Sequence, residues 1–247
     1  MQEILQQDQL YVAVDILMMT EHEGSLSVLM SRRSQQPFAG RWALPGRFVG
    51  IDESAETAVQ ELVLKTLNSR RMYMEQLYTF SDLNRDPRGR VISIAYLIVC
   101  PWSEMEAVLK EKTADLACFE VIPGQSHLML RSGDRKTLTS TDLAFDHGRI
   151  IQTGITRVQG KLEYTPIAFA FLNDPDAFSL SEVQTVYEAV LGHALDPSNF
   201  RRQLLKQYET NGTIVQTQKT ESRRRGRPAV LYQWNDRRQK EWLRETI

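Results

Sequence analysis

"ALPGRFVGIDESAETAVQELVLKTLN", Ala43 to Asn68, decides how this chain is read. Pro45, Gly46 and Gly50 mark a loop, and Ser54 is placed to cap a helix running to about Leu67. Glu53 and Glu56 sit near that helix's positive N-terminal end. Residues at i, i+3 and i+4 share one helical face, so carboxylates spaced that way converge on a divalent cation. From Glu61 the spacing reaches Leu64 and Lys65 instead. A face with one negative, one apolar and one positive side chain repels such an ion, and Lys65 can pair with Glu61. The frame of a metal-assisted phosphate site is present while its charges are altered.

The flanks of this stretch read as a mixed sheet. "YVAVDILMM" (Tyr11 to Met19) mixes alternation with a continuous apolar run, as a half-buried or central strand does. "EHEG" turns the chain into "SLSVLMSRR" (Ser25 to Arg33), a returning strand. "RVISIAYLIVCPW" (Arg90 to Trp102) is the most strand-like segment, and the polar loop "DLNRDPRG" precedes it. A long helix is expected after "TSTDLAFDHGRI", running toward Lys161, and His147 in it could cap or orient that helix. The fold class expected is α+β, an α/β/α sandwich with a mixed sheet.

After Lys161 the style changes. "FSLSEVQTVYEAVLG" opens with a capping box, Ser179 and Glu182, and closes at Gly192. "DPSNFRRQLLKQY" has Asp196 as N-cap and Pro197 at the first helical position. "TIVQTQ", the basic run "ESRRRGRPA" and "VLYQW" follow, so the order is helix, short turn, helix, basic hairpin. That is the plan of a winged helix-turn-helix. The expected division is a first domain over 1–160, which carries the altered site, and a DNA-binding domain over 161–247.

Charge supports two modules. Residues 199–247 carry a net +7, and the rest of the chain a net -8. Charge alone fits a solvated surface equally well, but a basic module beside an acidic body also fits a polyanionic partner. Asn199, Arg201, Arg202, Gln203 and Lys206 are candidates to meet double-stranded DNA from the second helix, with Phe200, Leu204 and Leu205 facing the domain. Arg225 and Arg227 suit an A·T-rich minor groove, and Arg223 and Arg224 suit phosphates, with affinity that falls as salt rises. An amphipathic surface helix is the plain alternative for the helix by itself.

For the first module, Arg32, Arg33, Arg41, Arg47, Phe48, Arg88 and Arg90 are the candidate ligand-binding residues, with Arg85 also flanking the loop. The planar guanidinium matches phosphate oxygens, although some of these residues would serve only as surface charge. Phe38, Trp42 and Tyr96 could stack an adenine, but such aromatics are more often core. Cys100 and Cys118 have neither metal-ligand nor disulfide spacing, and His22, His127 and His193 show no metal spacing. The polar N-terminus "MQEILQQDQL" lacks a signal peptide's apolar core, and no run approaches the roughly 18 apolar residues of a membrane span. A cytoplasmic protein with no metal and no required cofactor is expected.

"WALPG" followed by a glycine- and glutamate-bearing loop and a helix resembles the Nudix hydrolases. On their motif the glycine becomes Arg47, the loop glutamate is Glu53, and the Arg-Glu pair becomes Gln60-Glu61. Leu62 is the aliphatic position, Leu64 and Lys65 replace the two glutamates, and Leu67 and Asn68 close the motif. Three of nine defined positions match. With "LYTFSDLNRDPRGRVISIAYL", "LAFDHGRII", "YTPIAFAFL", "FSLSEVQTVYEAVLG", "NFRRQLL" and "GRPAVLYQW", nearly the whole chain resembles the NrtR family of Nudix-related regulators of NAD metabolism. The resemblance implies a homodimeric repressor that binds ADP-ribose or a related NAD-derived nucleotide and leaves a near-palindromic operator. The segment from about Thr141 to Lys161 is the expected carrier of the change. One rival reading is an active Nudix pyrophosphohydrolase with an appended nucleic-acid module, and another is an RNA-binding or adaptor protein.

Overall fold

The computed structural model describes residues 10–67, 72–111, 115–124, 127–221 and 229–235. Its first part is built on β1 (Tyr11–His22) and β2 (Ser25–Arg32), followed by the short β3 (Trp42–Ala43) and β4 (Gly46–Phe48). Then come α1 (Ala55–Leu67), β5 (Tyr73–Phe80), β6 (Val91–Val99), α2 (Trp102–Glu111), β7 (Leu116–Val121), β8 (Met129–Arg131), β9 (Thr137–Thr139) and α3 (His147–Lys161). The sheet order is β5-β6-β1-β2-β7-β8-β9, with β3 on β2 and β4 on β1. β1 runs parallel to β6, from Tyr11 opposite Val91 to Met19 opposite Val99, and antiparallel to β2.

The mixed pattern of β1 follows from its central place. Val14, Ile16 and Met18 join the layer under α1 and α2, and Leu17 and Met19 join the opposite layer under α3. A strand covered on both faces needs a continuous apolar run. Asp15 interrupts that run and is still buried. β4 crosses β1 close to it: a Cβ on Gly46 would lie 2.2 Å from Asp15 Oδ1 and 2.9 Å from the Val14 carbonyl. Glycine is therefore required for the loop to approach the strand. α1 starts where Ser54 accepts the amide of Thr57 at 3.1 Å, and buries Ala58, Val59, Val63 and Leu67 against the sheet.

The second part contains a 3₁₀ segment at Ile167–Phe171, β10 (Phe178–Ser179), α4 (Leu180–Leu191), α5 (Pro197–Leu204), β11 (Ile214–Glu221) and β12 (Ala229–Trp234). In α4 the capping box forms: Ser179 Oγ accepts the Glu182 amide at 3.3 Å, and Glu182 accepts the Ser179 amide at 2.7 Å. Such a cap is worth about 1 kcal/mol. Gly192 ends the helix at φ +76°, pressed against Pro123 of the first part. α5 starts at Asp196, which accepts the Asn199 amide at 2.8 Å, with Pro197 next, and its winding loosens to π type over Leu205–Glu209. The strands order β10-β12-β11, so β10 adds a third strand that the sequence reading did not identify.

The two parts share one hydrophobic core. A single buried cluster joins Leu17, Val28 and Met30 of the sheet, Ile151 and Val158 of α3, Val183 and Val186 of α4, and Phe169, Phe178 and Trp234 of the second part. The core thus crosses the 160/161 boundary expected from sequence. Phe169 lies about equally far from Phe178 and Trp234, 5.5 Å each, and 5.2 Å from Tyr208.

Candidate functional site

A cleft of about 220 Å³ opens where β1, the end of β2, β4 and the loop before β6 meet the start of α3. Its floor is a buried ionic network. Arg85 is forked onto Asp146 at 2.7 and 3.0 Å and reaches Asp15 at 3.4 Å. Ser93 Oγ donates to the same Asp15 carboxylate at 2.5 Å. His147 Nδ1 accepts the Leu44 amide at 2.8 Å, and its Nε2 stands 3.6 Å from Asp15. Complete burial holds the imidazole below its ordinary pKa, and Asp15 and Asp146 offset this only in part. His147 is therefore neutral, with its proton on Nε2. It orients α3 against the motif loop; the N-cap position belongs to Asp146.

The rim carries cations on aromatic faces. The Arg33 guanidinium lies 4.7 Å from the Phe145 ring centre, and that of Arg88 lies 5.0 Å from Phe48 and 5.4 Å from Phe145. Phe145 adopts φ +53°, an uncommon backbone state that places its ring between the two arginines. Arg88 is paired in a fork with Asp86 at 2.7 and 3.0 Å. Burial works to raise Asp86, but the Arg88 hydrogen bonds outweigh it and hold the carboxyl below its usual range. Arg33 donates to the carbonyls of Pro37 at 2.8 Å and Gln35 at 3.4 Å, so its hydrogen-bond acceptors are neutral, while Asp86 and Asp15 act on its charge only through space. Burial, then the adjacent Arg88 charge, lower its pKa from the arginine value.

The motif carboxylates are held together by Arg47. Its guanidinium meets Glu53 in a fork at 2.5 and 2.7 Å and Glu61 at 3.0 Å. Glu53 also accepts the Gly50 amide at 2.6 Å. The Arg47 bond and then that amide lower the Glu53 pKa. Six residues separate Glu53 from Gln60, one fewer than the motif spacing, so on the Gln60–Glu61 frame the glycine is Gly46 and Arg47 follows it. The Arg47 guanidinium, not helix periodicity, brings Glu53 and Glu61 together. Leu64 is exposed, and among the described residues no group of three or more His, Cys, Asp or Glu side chains could hold a metal ion. The residues present do not fit the divalent cation that the motif implies.

Of the seven expected ligand residues, Arg33, Arg47, Phe48 and Arg88 line the cleft. The other three brace loops beside it. Arg32 donates to Gly40, Arg41 to Thr141 and Leu143, and Arg90 to Ser81 and Asp82, all through backbone carbonyls. Trp42 packs edge-on against Phe119, 4.9 Å away, and Tyr96 is buried in the other layer. Phe38 meets Phe145 edge-on at 5.0 Å, so the cleft's aromatic faces are Phe48 and Phe145. Asp15, Asp86 and Phe145 were missed in the sequence. A lone carboxylate inside the apolar run of β1 was the available signal for Asp15; Phe145 had none.

In the second part, Asn199, Arg201, Arg202, Gln203 and Lys206 are all exposed on α5 and its continuation. Phe200 and Leu204 fix the inward side. At 100° per residue the outward side centres on Arg202, with Asn199 one turn before it and Lys206 one turn after. Arg202 donates to Asn199 Oδ1. Arg201 lies off this outward side, close enough to Tyr232 of β12 to act on its hydroxyl. Asn199 and Gln203 also border a groove of about 430 Å³ against the end of α3 and against α4. Arg223, Arg224, Arg225 and Arg227 lie outside the described residues.

A mixed sheet with this loop and helix, followed by helix-turn-helix and a three-stranded hairpin sheet, defines a Nudix-fold protein with a winged-helix DNA-binding module. Residues 9–138 match the NUDIX domain, and residues 169–234 match the NrtR DNA-binding winged helix domain. The chain belongs to the Nudix family and, by this pairing, to its NrtR branch. It is 27% identical to the ADPR responsive transcriptional repressor NtrR of Acinetobacter baylyi, over 90% of this chain and 81% of that protein. It is 30% identical to the ADP-ribose pyrophosphatase of Methanocaldococcus jannaschii, over 57% of this chain and 70% of that protein. Shewanella oneidensis NrtR, in a crystal structure with a 27mer DNA, superposes with TM-score 0.70 at 28% identity, covering 91% of this chain and 93% of that one. No helix among the described residues is long and apolar enough to cross a membrane.

Proposed function

We propose that this chain is an ADP-ribose-responsive transcriptional repressor of NAD metabolism genes. Its Nudix cleft binds ADP-ribose or a related NAD-derived nucleotide, and occupancy releases the winged helix from its operator. One observation carries the reading: a DNA-binding module shares a chain with a phosphate-compatible cleft whose remaining motif carboxylates are closed by Arg47. Phosphate oxygens suit Arg33 and Arg88, and a planar base suits Phe48 or Phe145. The cleft works as a sensor without turnover, since Leu64 and Lys65 leave the motif helix without its ion cradle. Two copies related by a two-fold axis would set two α5 helices on a near-palindromic operator.

The path from cleft to DNA runs along α3. Its first turn is tied into the cleft floor by Asp146 and His147. Its last turns touch the second part: Gln159 donates to the Val190 carbonyl at 3.0 Å, and Tyr187 donates to the Leu162 carbonyl at 3.1 Å. A ligand that draws on Arg85 or Asp15 therefore acts on the helix that supports α4. Ligand and DNA must favour different arrangements for this to work.

The test is a gel shift with candidate operator duplex, titrated with ADP-ribose, NAD and nicotinamide nucleotides. Release by at least one of them is expected; equally tight operator binding at ligand saturation refutes the sensor. The likeness to the archaeal pyrophosphatase, with Glu53 and Glu61 retained, favours a second reading as a hydrolase. Brisk release of AMP from ADP-ribose with Mg²⁺ would support it.

A further inference from the structure

We infer that Arg47 is a built-in cation standing where the motif would hold a divalent ion, and that nucleotide binding here needs no metal. The inference deepens the sensor reading and rests on it only for the identity of the nucleotide. A guanidinium has five N–H donors. Arg47 uses them on the Ala58 carbonyl at 3.4 Å, the Phe48 carbonyl at 3.1 Å, both Glu53 oxygens at 2.7 and 2.5 Å, and Glu61 at 3.0 Å. Three separate segments, β4, the loop and α1, are thereby tied by one positive group, as a bridging metal ion would tie them.

Arg47 differs from an ion in two respects. It carries its charge at every accessible pH and cannot be chelated or exchanged. Mg²⁺ demands near-octahedral oxygen ligands, and the guanidinium already covers the carboxylate oxygens such an ion would use. With all five donors engaged, Arg47 has none to offer a diphosphate. The anion then falls to Arg33, whose acceptors are neutral carbonyls. Arg47 acts as a positioning residue that keeps two carboxylates from repelling the ligand, so its place among the expected phosphate contacts is revised.

The experiment follows free Mn²⁺ by electron paramagnetic resonance, titrated into the native full-length chain, L64E/K65E and R47G/L64E/K65E, each first shown by circular dichroism to be folded. L64E/K65E restores the helix glutamates but keeps Arg47. The expected result is that Mn²⁺ binds R47G/L64E/K65E at least about tenfold more tightly than L64E/K65E. Equal affinity for the two, or no binding by the triple variant, overturns the inference. A second arm uses only the native chain: calorimetric affinity for ADP-ribose should agree within about twofold in EDTA and in Mg²⁺, where a metal-bridged diphosphate would lose far more. Loss of binding in EDTA overturns the inference. Absence of ADP-ribose binding in both buffers would refute the nucleotide assignment instead, and the Mn²⁺ comparison would still decide the role of Arg47.

Discussion

Replacing Arg85 by methionine is the sharpest test of the ionic floor that joins the cleft to α3. The Arg85 side chain is 3% exposed, and its partners Asp15 and Asp146 are 10% and 15% exposed. Methionine fills much of the same volume, so packing loss is small and the change isolates the charge. Breaking a buried pair by removing one partner costs about 3–5 kcal/mol, because the other charge is left without compensation. Asp15 keeps its bond from Ser93 and Asp146 keeps some solvent, which places R85M near the lower end, about 3 kcal/mol. For a chain of this size that lowers the melting temperature by roughly 6–12 °C. Urea unfolding followed by circular dichroism measures the loss, and R85M/D15N/D146N should recover most of it because the stranded charges are gone. A cost below about 1 kcal/mol, or no recovery in the triple variant, refutes the argument.

Two further predictions concern proton linkage and DNA. Burial lowers the folded pKa of His147, so below its unfolded value of about 6.5 the unfolded chain binds a proton that the folded chain refuses, and stability falls by up to about 1.4 kcal/mol per pH unit. Asp15 and Asp146 oppose this, Arg85 and Arg33 reinforce it, and the depressed carboxyls Glu53 and Asp86 add their own losses only below about pH 4. Urea midpoints should therefore fall between pH 6.5 and 5.5 in the native chain and fall less in H147Q, whose amide oxygen can still accept from Leu44; equal slopes refute it. On DNA, R202A and K206A should each reduce the slope of log affinity against log salt by about 0.9, as one phosphate contact does. R201A should change it less, since Arg201 faces Tyr232, and anisotropy titrations at several KCl concentrations showing the reverse order would overturn the assigned outward side.

What the sequence showed and what it hid divides by range. β1, α1, α4 and α5 are local: an apolar run, Ser54, the Ser179–Glu182 box and Asp196–Pro197 announce them within a few residues. β10 was not read because two residues, Phe178 and Ser179, carry no period; only pairing with Tyr232 and Leu231 makes them a strand. The rim was half legible. Arginines near the motif loop were evident, yet periodicity could not separate Arg33 and Arg88, which meet at Phe145, from Arg32 and Arg90, which turn to carbonyls. Arg32 closes β2 and Arg33 opens the loop after it, so strand alternation does not say where the second of them points. The role of Arg47 was hidden for a different reason. As a replacement for glycine it reads as an added phosphate ligand, and only the fold places Glu53 and Glu61 around it.

The shared core sets how a small ligand could act at the DNA. Because α4 packs on the same hydrophobic cluster as the sheet and α3, the second part cannot swing as a free body on a linker. Response in the proposed sensor must be a discrete repacking, with α3 shifting between two seated positions. Moving such an equilibrium from 1:99 to 99:1 takes about 5.5 kcal/mol of differential binding. A charge-assisted hydrogen bond contributes about 1.5–3 kcal/mol, so two to four contacts made in one arrangement alone are enough. Arg33 and Arg88 can supply part of that number, and both sit on the rim against Phe145 without a hydrogen bond to α3. The remainder has to come from groups that also hold the first turn of α3, and Arg85 is placed for that: it faces the cleft while gripping Asp146. A ligand anion that drew Arg85 away from Asp146 would loosen the helix at its root, which makes Arg85 the residue where occupancy becomes movement.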